Sequence, residues 1–168
     1  MGVKIPEGVS VEAKNGVLTV KGPHGTLERA FNARMVDLRV ENGEVSATLK
    51  GRLSRKKQSA TKTVEAHLKN MLEGTVKKFE KKMQLVYSHF PVTVEVKGKD
   101  IFIKNFLGEK TPRKAKVVGD AKVEVKGPDI TISGADVESV GQTAANIRKA
   151  TRITKRDERV FQDGIYYA

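Results

Sequence analysis

The chain has no cysteine and no tryptophan, and aromatic residues make up only 5% of it. Without cysteine neither a disulfide nor a thiolate metal site can form, which is compatible with a reducing cytosol. Rings this few argue against a platform of stacked aromatics as the main means of holding a nucleic acid. No apolar run approaches the roughly 18 residues needed to span a bilayer. The opening Met1-Gly-Val-Lys-Ile-Pro-Glu-Gly lacks the apolar stretch of a secretory signal. Pro6 stands where a myristoylation motif requires Ser or Thr. No membrane partner is expected.

Recognisable reaction chemistry is also missing. His24, His67 and His89 are far apart and show no ligand spacing. No P-loop, dinucleotide fingerprint or G-x-S-x-G elbow occurs. Lys21-Gly-Pro-His-Gly25 is glycine-rich but has no Lys-Ser/Thr after it. It reads as a turn in which Pro23 presets φ and one glycine takes a positive φ. The Asp157-Glu158 pair lies in a basic segment, where local ion pairing is a simpler role than acid–base work. The expectation is a protein that is not an enzyme and needs no metal or cofactor.

What the sequence has in excess is positive charge. Its 168 residues carry 32 Lys/Arg against 20 Asp/Glu, a formal net charge of +12, and the pI is near 9.9. A surplus of that size favours a polyanionic partner.

The chain also contains one pattern twice. Val9-Ser-Val-Glu-Ala-Lys-Asn-Gly-Val-Leu-Thr-Val-Lys matches Val92-Thr-Val-Glu-Val-Lys-Gly-Lys-Asp-Ile-Phe-Ile-Lys at constant offset, and Gly25 meets Gly108 in the same register. Each alternates apolar and polar residues around a polar or glycine break, as a hairpin with one buried face does. A second hairpin follows in each half. Leu38 to Ala47 turns at Asn42-Gly43, and Val123 to Ile132 turns at Gly127-Pro-Asp129. Helical periodicity closes each half. The first helix is expected over 59–82, with Val64, Leu68, Met71, Leu72, Val76 and Phe79 on its apolar stripe, Glu65–Lys69 and Glu73–Lys77 as i,i+4 pairs, and Gly74 weakening or bending it. The second is expected over 136–150, with Asp136 as N-cap and Val140, Ala144 and Ile147 facing the core. The fold class is therefore α+β. Two similar tandem domains, 1–82 and 83–168, each form an antiparallel sheet covered by one helix. Each buries only a small core.

Residues 1–82 hold 17 Lys/Arg and 9 Asp/Glu, a net of +8, and 83–168 hold 15 and 11, a net of +4. Three basic clusters stand out: Arg148, Lys149, Arg152, Lys155, Arg156 and Arg159 near the end; Lys110, Arg113 and Lys114, with Lys104 and Asn105 just before; and Arg52, Arg55, Lys56 and Lys57 ahead of the first helix. Any one cluster could be an ordinary solvated face. Three of them under so large a surplus point to a surface that follows a phosphate backbone. The final segment, 149–159, is expected to be mobile when free. Its like charges repel, and few apolar residues beyond Ile153 and Val160 are there to hold it.

Several stretches resemble a known family. Ile5-Pro6-x-x-Val9, Val20-Lys-Gly-Pro-x-Gly25, Asn105-Phe-Leu-Gly-Glu-Lys110 and Gly141-Gln-x-Ala-Ala-Asn-Ile-Arg148 are similar to the universal large-subunit ribosomal protein six family (nine in eukaryotic nomenclature). The ending Lys155-Arg-Asp-x-Arg-Val-Phe-Gln-Asp-Gly-Ile-Tyr166 resembles its archaeal and eukaryotic branch, and the short C-terminus favours the archaeal side. The resemblance covers essentially the whole chain. It implies two similar α+β domains in a cytoplasmic ribonucleoprotein that takes part in translation without enzymatic activity. It also implies binding to large-subunit ribosomal RNA, mainly through the second domain and near the sarcin–ricin loop and factor-binding region. Ribosomal proteins and translation factors would be neighbours. The bacterial Pro-x-Pro-Tyr-Lys-Gly-Lys-Gly-Ile type motif is replaced here by Thr154-Lys-Arg-Asp-Glu-Arg-Val-Phe-Gln-Asp-Gly-Ile165, so bacterial contact residues do not transfer to that stretch. A free-standing RNA- or DNA-binding regulator and a small basic hydrolase are the rival readings, and the missing catalytic constellation counts against the second.

Overall fold

A computed structural model of the chain describes residues 2–14, 16–41, 43–49, 51, 54–154, 156–157 and 159–168. It divides into two compact units, Met1–Lys78 and Phe79–Ala168. The first contains β1 (Gly2–Lys4), β2 (Ser10–Lys14), β3 (Val17–Gly22), β4 (Gly25–Ala30), β5 (Val36–Glu41), β6 (Glu44–Leu49) and α1 (Arg55–Val76). The second contains β7 (Phe79–Val86), β8 (Thr93–Lys97), β9 (Asp100–Lys104), a 3-10 turn (Phe106–Gly108), β10 (Arg113–Lys116), β11 (Lys122–Lys126), β12 (Asp129–Gly134), α2 (Val137–Ala150) and β13 (Gly164–Tyr167).

The strand orders show the duplication. The first unit has antiparallel sheets ordered β2-β3-β4 and β1-β6-β5. The second has β8-β9-β10 and β7-β12-β11, with β13 added on the free side of β7. Ser10 faces Lys21 and Lys14 faces Val17 in the first hairpin; Thr93 faces Lys104 and Lys97 faces Asp100 in its counterpart. Each unit therefore divides its strands between two small sheets that share one helix. α1 packs on β3 and β6, and α2 on β7, β10 and β12.

Period-2 alternation sends Leu18 and Val20 of β3, and Ile101 and Ile103 of β9, into the two cores. Opposite them lie Leu68, Met71 and Leu72 of α1, and Val140, Ala144 and Ile147 of α2. Each of these side chains other than that of Ala144 contributes roughly 1.5–3 kcal/mol by leaving water. Asp136 caps α2 as its position suggests, accepting from the backbone N–H groups of Glu138 and Ser139 at 3.1 Å and from the Ser139 hydroxyl.

The first helix departs from expectation. It runs Arg55–Val76 rather than over 59–82, and Lys77 is already extended. Phe79–Lys82 instead begin β7, with Phe79 opposite Gly134 and Lys82 opposite Thr131. Pairing with β12, out of reach of any local pattern, prevails over helix propensity. The sign was there in Met83 and Leu85, which alternate inward along β7. Val76 is consequently exposed and outside the core. Gly74 is a buried part of the last turn. Lys69 pairs with Glu73 at 3.9 Å.

The Pro23-His24 turn packs against the end of α1. The His24 N–H donates to the Thr75 carbonyl at 3.2 Å, Gly25 sits at φ +129°, and a Cβ on Gly22 would lie 2.7 Å from Thr75 Cβ. The carbonyl-bearing, partly negative end of a helix is a poor place for phosphate. Gly43 takes a φ of +78°, as the second turn residue should; Asn42 lies outside the described residues. No helix among the described residues is long and apolar enough to cross a membrane.

Candidate nucleic-acid interface

The predicted basic residues divide into groups with different surroundings. Arg148 and Lys149 occupy the last turn of α2, where cations complement the helix dipole. With Arg152 they border a groove of about 630 Å³, closed on the other side by Phe161, Asp163, Gly164, Ile165, Tyr166 and Tyr167. Arg148 lies over the Tyr167 ring at 5.3 Å, and Lys81 lies over the same ring at 4.4 Å. All three groove cations are exposed.

Arg156 stacks on Phe161 at 4.8 Å. Arg159 pairs with Asp157 at 3.1 Å, while its side chain is 90% exposed. Lys155 and Arg52 lie outside the described residues. Lys110 and Lys114 are exposed, and Lys114 lies over Phe102 at 5.4 Å. Arg55, Lys56 and Lys57 form the first turn of α1, which has no acidic residue. Three cations at the positive end of a helix oppose its dipole, so a nearby anion would relieve them.

Other predicted site residues have partners within the chain. Lys104 is held by Glu95 at 2.6 Å. Asn105 adopts the left-handed conformation at φ +57° and donates its side-chain amide to the Pro91 carbonyl at 3.0 Å. Arg113 is the most tied down. Its fork meets Glu109 at 2.6 and 2.8 Å and donates to the carbonyls of Ala150 and Arg152 at 3.0 and 3.1 Å. The guanidinium also lies 4.4 Å from the ring centre of buried Phe106. This side chain fastens the 3-10 turn to the carbonyl end of α2, a structural task that proximity to Lys110 and Lys114 did not reveal.

The segment after α2 is better anchored than its charge suggested. Thr151, Ile153, Asp163 and Ile165 are buried, whereas Val160, expected to help hold it, is 60% exposed. Thr151 Oγ1 accepts from the Ile165 N–H at 3.2 Å, and Gly164–Tyr167 pair with Met83–Val86. The anchors the sequence reading passed over are Phe161 and Ile165. The β-prone run Ile165-Tyr-Tyr was the available signal.

A polar cluster around Asp163 also escaped notice. Its Oδ1 accepts from the Ser88 N–H at 3.1 Å, the Ser88 hydroxyl at 3.1 Å and His89 Nδ1 at 3.2 Å. A carboxylate can only accept, so Nδ1 carries the proton. Burial pushes the Asp163 carboxyl up, but the hydrogen bonds from His89 and Ser88 outweigh it and hold the group below its ordinary value. The histidine and the serine converge on one carboxylate oxygen. In a hydrolytic triad the carboxylate and the serine instead sit at opposite nitrogens of the ring. Among the described residues, no group of three or more His, Asp or Glu could hold a metal ion.

These features define a duplicated α+β protein with exposed cations gathered at the end of α2. Comparison with known proteins is specific. The family model described as Ribosomal protein L6 matches residues 5–78 and again 90–164, one match in each unit. The chain is 50% identical to the large ribosomal subunit protein uL6 of Methanosarcina mazei, covering 98% of this chain and 93% of the relative. It is 51% identical to that of Methanobrevibacter smithii, covering 98% and 92%, and 47% identical to that of Ignicoccus hospitalis, covering 98% and 90%. The chain belongs to the ribosomal protein L6 family, and these relatives are archaeal, the side of the family that its C-terminal residues resemble. The family is one of structural proteins.

Proposed function

We propose that the chain is a structural constituent of the large ribosomal subunit in the cytoplasm, and that its second unit holds large-subunit ribosomal RNA near the factor-binding, sarcin–ricin region. The observation that carries this reading is the meeting of Arg148, Lys149 and Arg152 at one groove, set by the end of α2 and by β13. Rigid elements hold those cations where RNA strands pack closely, and each phosphate they neutralise releases counterions. The backbone and shape of the RNA are read, because the deep major groove of A-form RNA excludes side chains. Arg156, Arg159, Lys110 and Lys114 extend the surface, Lys155 adds a contact expected from its place in the sequence, and Arg55, Lys56 and Lys57 serve the first unit. Neighbouring ribosomal proteins and passing translation factors are the other partners.

The test changes Arg148, Arg152, Arg156 and Arg159 together to Gln and measures binding to large-subunit RNA against salt. If all four touch phosphates, the slope of log K against log[salt] becomes shallower by about three units, at roughly 0.7–0.9 per contact. An unchanged slope refutes the assignment of this surface. Chemical footprinting on assembled subunits checks the location; protection confined to regions away from the sarcin–ricin loop refutes it. A protein that leaves large subunits in a high-salt wash and is found free in cells would instead be a regulator.

A further inference from the structure

The duplication supplies a comparison within the molecule. Ile101 of β9 faces Ala115 of β10, and at the same place in the first unit Leu18 of β3 faces Arg29 of β4. Residues opposite each other in an antiparallel pair point to the same side of the sheet. Ala115 and Arg29 therefore both lie on the side that the helix covers. Ala115 is small and buried, and α2 closes on β10. Thr143 Oγ1 accepts from the Val118 N–H at 3.0 Å, and Asn146 donates its side-chain amide to the Lys116 carbonyl at 2.9 Å. Arg29 is long, charged and only partly buried. An apolar core does not take in an arginine as it does an alanine, and α1 lies less closely on β4 than α2 on β10.

The first unit is left with a groove of about 460 Å³ between α1 and β4, within the roughly 300–1,000 Å³ of sites that enclose an organic group. Leu18, Phe31, Met35, Ala60 and Val64 line it. Leu18 is buried, and the other four keep part of their surface open. Part of the stripe expected to face the core, Val64, thus borders the groove. Arg29, Lys56 and His67 complete the lining, and no Asp or Glu is among the described residues there. Lys56 is exposed and belongs to the first turn of α1, which has no acidic residue and whose dipole favours an anion.

We propose that this groove docks an acidic segment of a protein partner, with one large apolar side chain inserted among Phe31, Met35, Ala60 and Val64 and its carboxylates beside Lys56 and the start of α1. Charge complementarity selects acidic flanks. The apolar lining selects a protein over RNA, because a phosphate would lose its hydration there with nothing to replace it. An apolar pocket with a polar rim is the usual seat of an interface anchor. The proposal goes beyond the RNA-binding reading and does not need it. It assigns Lys56 to the partner and leaves Arg55 and Lys57 to the RNA surface.

The experiment uses the full chain and two fluorescein-labelled peptides of alternating Asp and Glu, one with a single central phenylalanine and the other with serine in its place. In fluorescence anisotropy the phenylalanine peptide should bind about tenfold more tightly, as burial of one such side chain provides. Ala60→Phe, which fills the groove, should abolish that preference. Thr63→Phe tests the same groove from an exposed lining position, where a substitution does not disturb the core, and should also abolish it. Lys56→Glu should weaken both peptides and keep the preference. Far-UV circular dichroism and melting confirm that each variant is folded, and Thr63→Phe decides if Ala60→Phe is not. Equal binding of the two peptides, or of neither at low salt, would overturn the proposal. A preference that persists in Thr63→Phe would overturn it as well. Large-subunit RNA should bind the groove-filled variants as tightly as the parent. Weaker RNA binding would give the groove to RNA and overturn the peptide site while leaving the RNA reading standing.

Discussion

Arg113 provides the sharpest test of the structural argument, because the sequence placed it on an RNA surface and the fold uses it as a fastener. In Arg113→Met the apolar stem is kept and the fork is removed. Three contributions disappear. The hydrogen bonds to the Ala150 and Arg152 carbonyls come from a charged donor and are worth about 1.5–3 kcal/mol. The bidentate pair with Glu109 is worth only about 0.5–1 kcal/mol, since that carboxylate side chain is 40% exposed. The stacking on Phe106 adds about 0.5–1 kcal/mol. The loss should be about 3 kcal/mol, or roughly 12–24 °C in Tm for a unit of this size. Arg113→Lys keeps the charge without the fork and should recover about half of the loss. The assay is built into the sequence. Tyr87, Tyr166 and Tyr167 are the only tyrosines, tryptophan is absent, and all three fall in the second unit. Tyrosine fluorescence in a urea titration therefore follows that unit alone. A loss below about 0.5 kcal/mol would refute the fastener, as would a lysine variant as stable as the parent. A shallower salt slope for RNA with stability unchanged would show that Arg113 is a phosphate contact after all.

The remaining predictions use the same signal or the whole chain. Asp163 and Glu109 are both held below their ordinary values of 3.8 and 4.5: Asp163 because hydrogen bonds from His89 and Ser88 outweigh its burial, and Glu109 chiefly through its hydrogen bonds with Arg113. A depressed carboxyl stabilises the fold above its unfolded pKa, so the second unit should be at full stability above about pH 5, begin to lose it as the pH falls below 4.5 and 3.8, and lose the rest as the pH falls on through the lowered values of the folded state. Asp163→Asn should flatten the acid limb, and an unaltered limb would show that the Asp163 cluster contributes nothing to it. Asp136→Ala should cost about 1–2 kcal/mol in the tyrosine-monitored transition through loss of the α2 N-cap; no loss would mean the cap bonds are exchanged freely for water. Gly22→Ala forces a Cβ to within 2.7 Å of Thr75 Cβ and should lower the stability of the first unit by about 1–3 kcal/mol, seen as a shift of the transition that tyrosine fluorescence does not report.

The hairpins, their register, the duplication and the cap of α2 were legible in the sequence because each depends on residues close together in the chain. Alternation at period two and a turn residue suffice to set Ser10 against Lys21, and the same pattern sets Thr93 against Lys104. The stripe of Val140, Ala144 and Ile147 declared which face of α2 is buried. The total charge pointed to a polyanionic partner without locating the contact. Tertiary structure alone decided the rest. Phe79–Lys82 became strand because β12 lay ready to pair with them, and Gly164–Tyr167 joined the other side of β7. Asp163 is hydrogen-bonded to residues more than 70 positions earlier. Those contacts separate cations that look alike in a sequence into two kinds. Arg113 turns inward to helix-end carbonyls and a carboxylate, whereas Arg148, Lys149 and Arg152 remain open beside a groove. The physical reason is that charge is a property of the residue, but whether a cation is already satisfied depends on which carboxylates, carbonyls and rings the folded chain brings within about 3–6 Å of it.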